Sequence, residues 1–235
     1  MVAHRGFWRT APENSIASVL AALQHPVDGV EIDVHLTADG VPVVMHDGVV
    51  DRTTGGRGAI SAMSLEELRS LRLRLPNGDG LSGEKVPTLD EILDLTTGKR
   101  LLCVEVKPAG IEREVLACFR RHEAEDWVWM WSFRRSVVMA FRELAPAIPS
   151  AFLSAGFYEW SAERFLDEAV KAGARSVSLF PEDVSPEVVE MSHRLGLEVY
   201  TGTPNEAEEW ERLRDAGLEA VVTDDPPSLL ARWGA

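Results

Sequence analysis

Two short runs, "VEIDVHL" at 30–36 and "CVEVKP" at 103–108, alternate charged and apolar residues. Successive side chains of an extended strand point to opposite faces. Glu31, Asp33 and His35 therefore share one face, and Val30, Ile32, Val34 and Leu36 the other. Glu105 and Lys107 likewise stand opposite Val104 and Val106. If the apolar faces pack outward on helices, three carboxylates and one lysine converge on the inside. Crowded carboxylates repel one another and are costly to desolvate, so positive charge must stand among them. Two sources fit. One is an ion-pair network through Lys107 or an arginine. The other is a divalent cation, for which an all-oxygen donor set favours Mg2+ or Ca2+ over Zn2+.

Two histidines belong with this cluster. His4 ends the first strand-like piece and is followed by Arg5, while His46 ends a strand-like "VPVVMH" at 41–46. Imidazole titrates near neutral pH, so a pair beside an anion site can act as general base and general acid in one reaction. His35 stands one step further out on the Glu31 face, as a rim residue. His25, His122 and His193 fall on helix-like segments or their ends and are expected to face solvent.

The elements that must position these groups recur along the chain. Strand-like runs at 2–4, 29–34, 101–106, 127–131, 149–153, 176–180, 197–201 and 219–223 alternate with helical spacing at 13–24, 88–97, 111–122, 134–144, 161–172, 185–194, 205–216 and 226–233. Ser161, Ser185 and Asn205 stand where an N-cap is wanted, and Gly173, Gly196 and Gly217 where a left-handed terminator fits. Eight strand–helix repeats predict a parallel sheet closed as a (β/α)8 barrel, with an open doubly wound sheet as the alternative. All three carboxylates then lie toward the C-terminal ends of their strands, where barrel enzymes build their sites. The Gly-rich stretch 47–87 breaks the rhythm and reads as an insertion between the second strand and its helix. Within it, "SLEELRSL" at 64–71 is a short helix with a capping box from Ser64 to Glu67. The glycines at 55, 56 and 58 lack the Gly-Lys-Ser/Thr ending of a phosphate loop.

The 235 residues suit one domain, 1–235, of α/β-barrel size. With 38 acidic against 24 basic residues the formal charge is −14, which excludes a broad nucleic-acid footprint. An anionic small-molecule substrate would need local arginine, lysine or a bound cation. Cys103 and Cys118 fall in packing positions rather than in a disulfide framework. No apolar run approaches the roughly 18 residues of a membrane span, so the chain is expected to be soluble and cytoplasmic.

His4-Arg5, Glu31-x-Asp33 and His46-Asp47 together resemble the glycerophosphodiester phosphodiesterase family, in its bacterial cytoplasmic form. The likeness extends to "HRG" at 4–6, "APENS" at 11–15, "DRTTGGRG" at 51–58, "VPTLDEIL" at 86–93, "VEVKP" at 104–108, "SF" at 132–133 and "VVTDDP" at 221–226. It covers nearly the whole chain. The resemblance implies a (β/α)8 barrel with a small insertion after its second strand. It also implies one Mg2+ or Ca2+ on Glu31, Asp33 and Glu105, acid–base work by His4 and His46, and phosphate binding by Arg5 and Lys107. Glu13 matches a family position near the site, where it would orient Arg5 or contact the metal sphere.

The implied reaction splits a glycerophosphodiester into an alcohol and glycerol 3-phosphate. The glycerol 2-hydroxyl attacks first and water then opens the cyclic phosphate, with His4 as base and His46 as acid in the first step. One position departs from the family. After the seventh strand, "GLEVYTGTPN" at 196–205 places Gly202 where the family has Trp. The aromatic wall beside the glycerol would then fall to Tyr200, Phe133, Phe157 or Trp160. Its loss would favour another phosphodiester, such as a lysophospholipid, as an alternative substrate.

Overall fold

The computed structural model describes residues 1–157 and 160–233. Strands β1 (Val2–Ala3), β2 (Gly29–Leu36), β4 (Leu101–Val106), β5 (Val128–Ser132), β6 (Ser150–Leu153), β7 (Ser176–Leu179), β8 (Glu198–Gly202) and β9 (Ala220–Thr223) are joined in parallel. Pairing of β1 with both β2 and β9 closes the ring into a (β/α)8 barrel. A short β3 (Pro42–Val44) lies antiparallel on the outer half of β2.

Helices α1 (Ile16–Leu23), α3 (Leu89–Thr96), α4 (Glu112–Arg121), α5 (Arg135–Leu144), α6 (Ala162–Ala172), α7 (Pro186–Arg194), α8 (Ala207–Ala216) and α9 (Pro226–Trp233) surround it, with α2 (Leu65–Ser70) in the inserted stretch. Ser161 and Ser185 cap their helices as the sequence predicts. Gly173 and Gly217 end theirs in the left-handed conformation, and so does Gly196 one residue after α7's cap. The Ser64–Glu67 capping box is formed.

Three boundaries differ from the expectation. α1 begins at Ile16 rather than 13, because Ser15 caps it and Ser18 returns the bond, leaving Pro12, Glu13 and Asn14 in the preceding turn. The expected cap Asn205 is not one: α8 starts after Glu206, and the Asn205 amide is spent on Asp224. β3 stops at Val44, so His46 sits on a loop.

The alternation read from the sequence sets the layers. Val30, Ile32, Val34, Leu102, Val104 and Val106 are fully buried between barrel and helices. Inside the barrel, Val2, Cys103, Trp131, Tyr200 and Val222 form a smaller apolar plug beneath the charged groups. Both cysteines are free and buried, in packing positions. The inserted stretch packs Val50, Ile60, Leu68 and Leu73 against Val43 and Met45, which anchors the loop carrying His46 and Asp47.

Candidate active site

β2 and β4 stand in register with Asp33 opposite Glu105 and Glu31 opposite Cys103. One carboxylate oxygen from each of Glu31, Asp33 and Glu105 lies within 4.8 Å of the others, and all three residues are buried. Lys107 Nζ is 2.9 Å from Glu105 Oε1 and 3.2 Å from Asp33 Oδ1. The two sources of positive charge weighed from the sequence therefore coexist: a lysine bridge is present, in a donor set that suits a cation.

Burial and the neighbouring Asp33 and Glu105 push the Glu31 carboxyl far above its ordinary range. Burial and Asp33 carry Glu105 up to about 7, against the pull of Lys107. Burial would raise Asp33 too, but Lys107, Arg5, His46 and the Asn14 amide hold it down. A carboxyl driven upward by its neighbours marks a surplus of negative charge. Three buried carboxylates with no nitrogen or sulfur donor fit a hard divalent ion.

Arg5 is locked from several sides. Its backbone is left-handed, with φ 53°, its N–H donates to Glu31 Oε2 at 2.9 Å, and its carbonyl accepts from Asn14 N–H and Ser18 Oγ. The guanidinium donates to Glu13 Oε1 at 3.1 Å. Its Nε is buried and lies 3.4 Å from Asp33 Oδ2, out of line for a hydrogen bond. Asn14, also left-handed at φ 55°, donates to Asp33 Oδ2 and accepts from the Asp33 N–H.

Gly6 makes this turn possible. Its φ is 76°, and an added Cβ would stand 2.5 Å from the Ser18 carbonyl carbon. Gly6→Ala is expected to cost about 2 kcal/mol or more. Thermal unfolding should show it as a fall of about 4 °C or more in Tm; an unchanged Tm would mean that the turn relaxes freely.

Each candidate histidine is held by an aspartate. His4 Nδ1 is 2.7 Å from Asp224 Oδ1, which also accepts from Trp8 Nε1 at 2.7 Å, while Asn205 donates to Asp224 Oδ2 at 2.9 Å. Burial would raise Asp224, but His4, Trp8 and Asn205 outweigh it and hold the carboxyl at about 2. His46 Nδ1 is 2.7 Å from Asp47 Oδ1. Arg52 grips Asp47 through Nε at 2.8 Å and Nη2 at 3.0 Å, and reaches Glu13 through Nη1 and Nη2 at 2.7 Å each. Glu13 thus bridges Arg5 and Arg52, and one network runs from His46 to the turn that carries Arg5. Burial moves His46 below the usual histidine value, opposed by Asp33 and Asp47 and assisted by Arg5 and Lys107.

A cavity of about 460 Å3 opens at the C-terminal mouth, lined by His4, Arg5, Glu31, His46 and Glu105 among others. Asp33 and Lys107 lie behind this lining. His35 is not a free rim group: its ring nitrogen meets the His46 carbonyl at 3.1 Å and supports that loop. His122 is a correction, since its side chain is only 14% exposed and bonds Asp90 and Asp94. His25 is half-buried with its ring edge-on to Phe7. Of the aromatics expected to replace the missing wall, Phe133 lines the cavity and Tyr200, Phe157 and Trp160 do not; Trp131 and Phe180 do so unexpectedly. Gly202 is in the lining too.

Asp224, Asn14 and Arg52 carry no role in the sequence reading. Asp224 has a signal, since it stands two residues beyond Val222 on the inner face of β9. Asn14 and Arg52 obey no period, because both sit in aperiodic turns, and only the motifs "APENS" and "DRTTGGRG" of the resemblance contain them.

A parallel α/β barrel with buried carboxylates and two aspartate-held histidines at its mouth has the layout of barrel enzymes, whose sites stand at the C-terminal ends of the strands. Residues 4–228 match the Glycerophosphoryl diester phosphodiesterase family. A glycerophosphodiester phosphodiesterase of Caldanaerobacter subterraneus subsp. tengcongensis is 33% identical over 236 residues, covering 98% of this chain and 96% of its own. Among solved structures, an Oleispira antarctica phosphodiesterase in complex with the product sn-glycerol-3-phosphate superposes with a TM-score of 0.88 at 27% identity, covering 100% of this chain and 96% of that one. A glycerophosphodiester phosphodiesterase from Agrobacterium tumefaciens str. C58 gives 0.85 at 26% identity, covering 98% of each. The chain belongs to the glycerophosphoryl diester phosphodiesterase family and is a phosphodiesterase. Among the described residues no helix is long and apolar enough to cross a membrane.

Proposed function

We propose that the protein hydrolyses glycerophosphodiesters to an alcohol and sn-glycerol 3-phosphate, with His4 and His46 as the acid–base pair. The observation that carries this reading is the doubled histidine–aspartate arrangement, His4–Asp224 and His46–Asp47, in one cavity with the carboxylate triad. An Nδ1–H directed at an aspartate leaves Nε2 free to take or give a proton. His4 acts as base toward the glycerol 2-hydroxyl, and His46 protonates the departing alcohol oxygen. The cyclic phosphate so formed is opened by water with the roles reversed. Burial lowers His46, which makes its imidazolium a stronger acid than that of an ordinary histidine.

Glu31, Asp33 and Glu105 would hold one divalent ion, Mg2+ or Ca2+, and such an ion supplies positive charge to the phosphoryl oxygens when bound. Arg5 and Lys107 bind the phosphate, a reading supported by the place of Arg5 in the cavity lining. Glu13 aims Arg5. We place the protein in the cytoplasm, a reading its free thiols support.

Release of glycerol 3-phosphate from glycerophosphocholine and glycerophosphoethanolamine tests the reading, first with EDTA and then with Mg2+ or Ca2+ restored. Release only with the ion is expected. No release, together with ion-dependent cleavage of an aryl phosphodiester, would transfer the chemistry to another diester. That alternative draws on Gly202, which puts no side chain into the cavity.

Arg52 gives a second test. Its fork orients both Asp47 and Glu13, and loss of such an orienting partner costs roughly 10–100-fold in activity. Arg52→Ala is expected to lower kcat/KM for glycerophosphocholine by that factor. Arg52→Lys should recover only part of it, because an ammonium cannot bond both carboxylates side by side. Unchanged steady-state kinetics in Arg52→Ala would reduce the network to a surface ion pair.

A further inference from the structure

Two asparagines grip an aspartate in the same way. A side-chain amide offers one acceptor and one donor edge, so a single asparagine can meet the backbone N–H and the carboxylate of one aspartate together. Asn14 does this to Asp33, accepting from its N–H at 3.1 Å and donating to Oδ2 at 2.8 Å. Asn205, in the loop between β8 and α8, repeats it on Asp224 at 3.2 Å and 2.9 Å. The direction of the amide is fixed, because the Asp224 N–H can only donate: it takes the Asn205 oxygen and leaves the nitrogen for the carboxylate.

The second grip reaches a histidine. Asp224 Oδ1 is 2.7 Å from His4 Nδ1 and accepts from Trp8 Nε1 at 2.7 Å, while the His4 N–H donates to the Thr223 carbonyl at 3.0 Å. With one oxygen held by Asn205 and the other by Trp8, the carboxylate cannot turn without losing both bonds. A carboxylate only accepts, so the imidazole nitrogen facing it carries the proton. The two histidine–aspartate pairs differ in what stands behind the aspartate. Arg52, a cation, holds Asp47. Among the described residues, Asp224 is held from behind by the neutral N–H groups of Trp8 and Asn205 alone. Neutral donors aim the carboxylate and leave its charge to the imidazolium that forms when His4 takes a proton.

Resting on the functional reading above, we infer that Asn205 is a positioning residue for this reaction. By clamping Asp224 it fixes His4 as the Nδ1–H tautomer, which keeps Nε2 bare for the proton of the glycerol 2-hydroxyl. The local structure carries a cost for this. An asparagine so close to a helix start would ordinarily cap it, yet α8 begins after Glu206 with no side-chain cap. Such a sacrifice of local preference is expected where a residue serves a site.

The test reads the tautomer directly. Nitrogen NMR shifts of isotope-labelled imidazole are recorded with Mg2+ at about pH 9, above the ordinary histidine range, and the His4 signals are assigned by their loss in His4→Ala. The native protein should show His4 as the Nδ1–H form alone; an Nε2–H form there overturns the inference without any further variant. Asn205→Asp keeps the acceptor for the Asp224 N–H, and with it the anchor of the loop, but sets a carboxylate against Oδ2. Asn205→Ala removes the donor without adding charge. In both, His4 should divide between its two tautomers, and kcat for glycerophosphocholine should fall about tenfold or more with KM unchanged. A residue that only anchored the loop would leave the tautomer single and Asn205→Asp at native kcat. A single tautomer in the variants, or a loss that falls on KM alone, overturns the assignment. The tautomer needs no turnover, so divided tautomers in the variants of a protein that releases no glycerol 3-phosphate would sink the hydrolytic reading and leave the hold of Asn205 on His4 standing.

Discussion

His4→Ala and His46→Ala are each expected to lower kcat for glycerophosphocholine by on the order of a hundredfold or more with the fold retained. Each imidazole is committed to an aspartate through Nδ1, so alanine removes the proton carrier and leaves its orienting group behind. Their side chains are 21% and 33% exposed, outside the packed layers, and unfolding midpoints should hold. The two variants separate when the leaving group changes. With glyceryl p-nitrophenyl phosphate the departing phenolate needs no proton, so His46→Ala should recover most of its loss in the first-turnover release of nitrophenol, which precedes the opening of the cyclic phosphate. His4→Ala should stay slow on both substrates. The reverse pattern would exchange base and acid, and full activity in either variant would remove that histidine from the chemistry. The double variant should be little worse than the poorer single one, since residues that act as a unit are not additive.

The parts of this site legible in the sequence are those that obey a period. Alternation within "VEIDV" and "CVEVK" places Glu31, Asp33, Glu105 and Lys107 on one side, and β2 and β4 put them there in register. Eightfold repetition gives the barrel. Asp224 obeys the same rule and was within reach, because Val222 and Asp224 continue the inner face of β9. What the period does not reach is set by turns. Asn14 and Arg5 meet Asp33 and Glu31 because two successive turns hold residues 5 and 14 at positive φ, a conformation that no spacing rule announces. Arg52 finds Glu13 across 39 residues of sequence. Asn205 has the composition of a cap, yet its amide is worth more against a buried aspartate, where an unmet charge would be costly. The same competition explains His122, a helix-end residue drawn in by two aspartates of α3.

The triad should also make stability without bound metal depend on pH in a way that one substitution isolates. Glu105 is held up at about 7, from 4.5, by burial and Asp33. A carboxyl whose folded value is raised is ionised more readily in the unfolded chain, so each step in pH between the two values favours unfolding. The penalty is absent below about 4.5, grows toward 7 and is constant above it. Asp33 and Asp224, held low, have already given their full stabilisation by the start of this window. His46 and His35 act in the opposite sense, because burial favours their neutral forms, and they cancel when two proteins that share them are compared. Glu105→Gln keeps an oxygen for Lys107, abolishes this titration and removes the push of Glu105 on Glu31, which is also raised, so both changes relieve the penalty in the same sense. In EDTA, its melting temperature should match that of the native protein near pH 4.5 and exceed it increasingly up to pH 7. With millimolar Mg2+ or Ca2+ the order should invert at pH 7, because an ion that binds only the folded native site stabilises it by mass action. The variant should meanwhile lose activity, having given up one of three carboxylates. A gap that is flat with pH in EDTA would mean that Lys107 alone neutralises the site. A gap that the ions leave untouched would mean that Glu105 is no ligand.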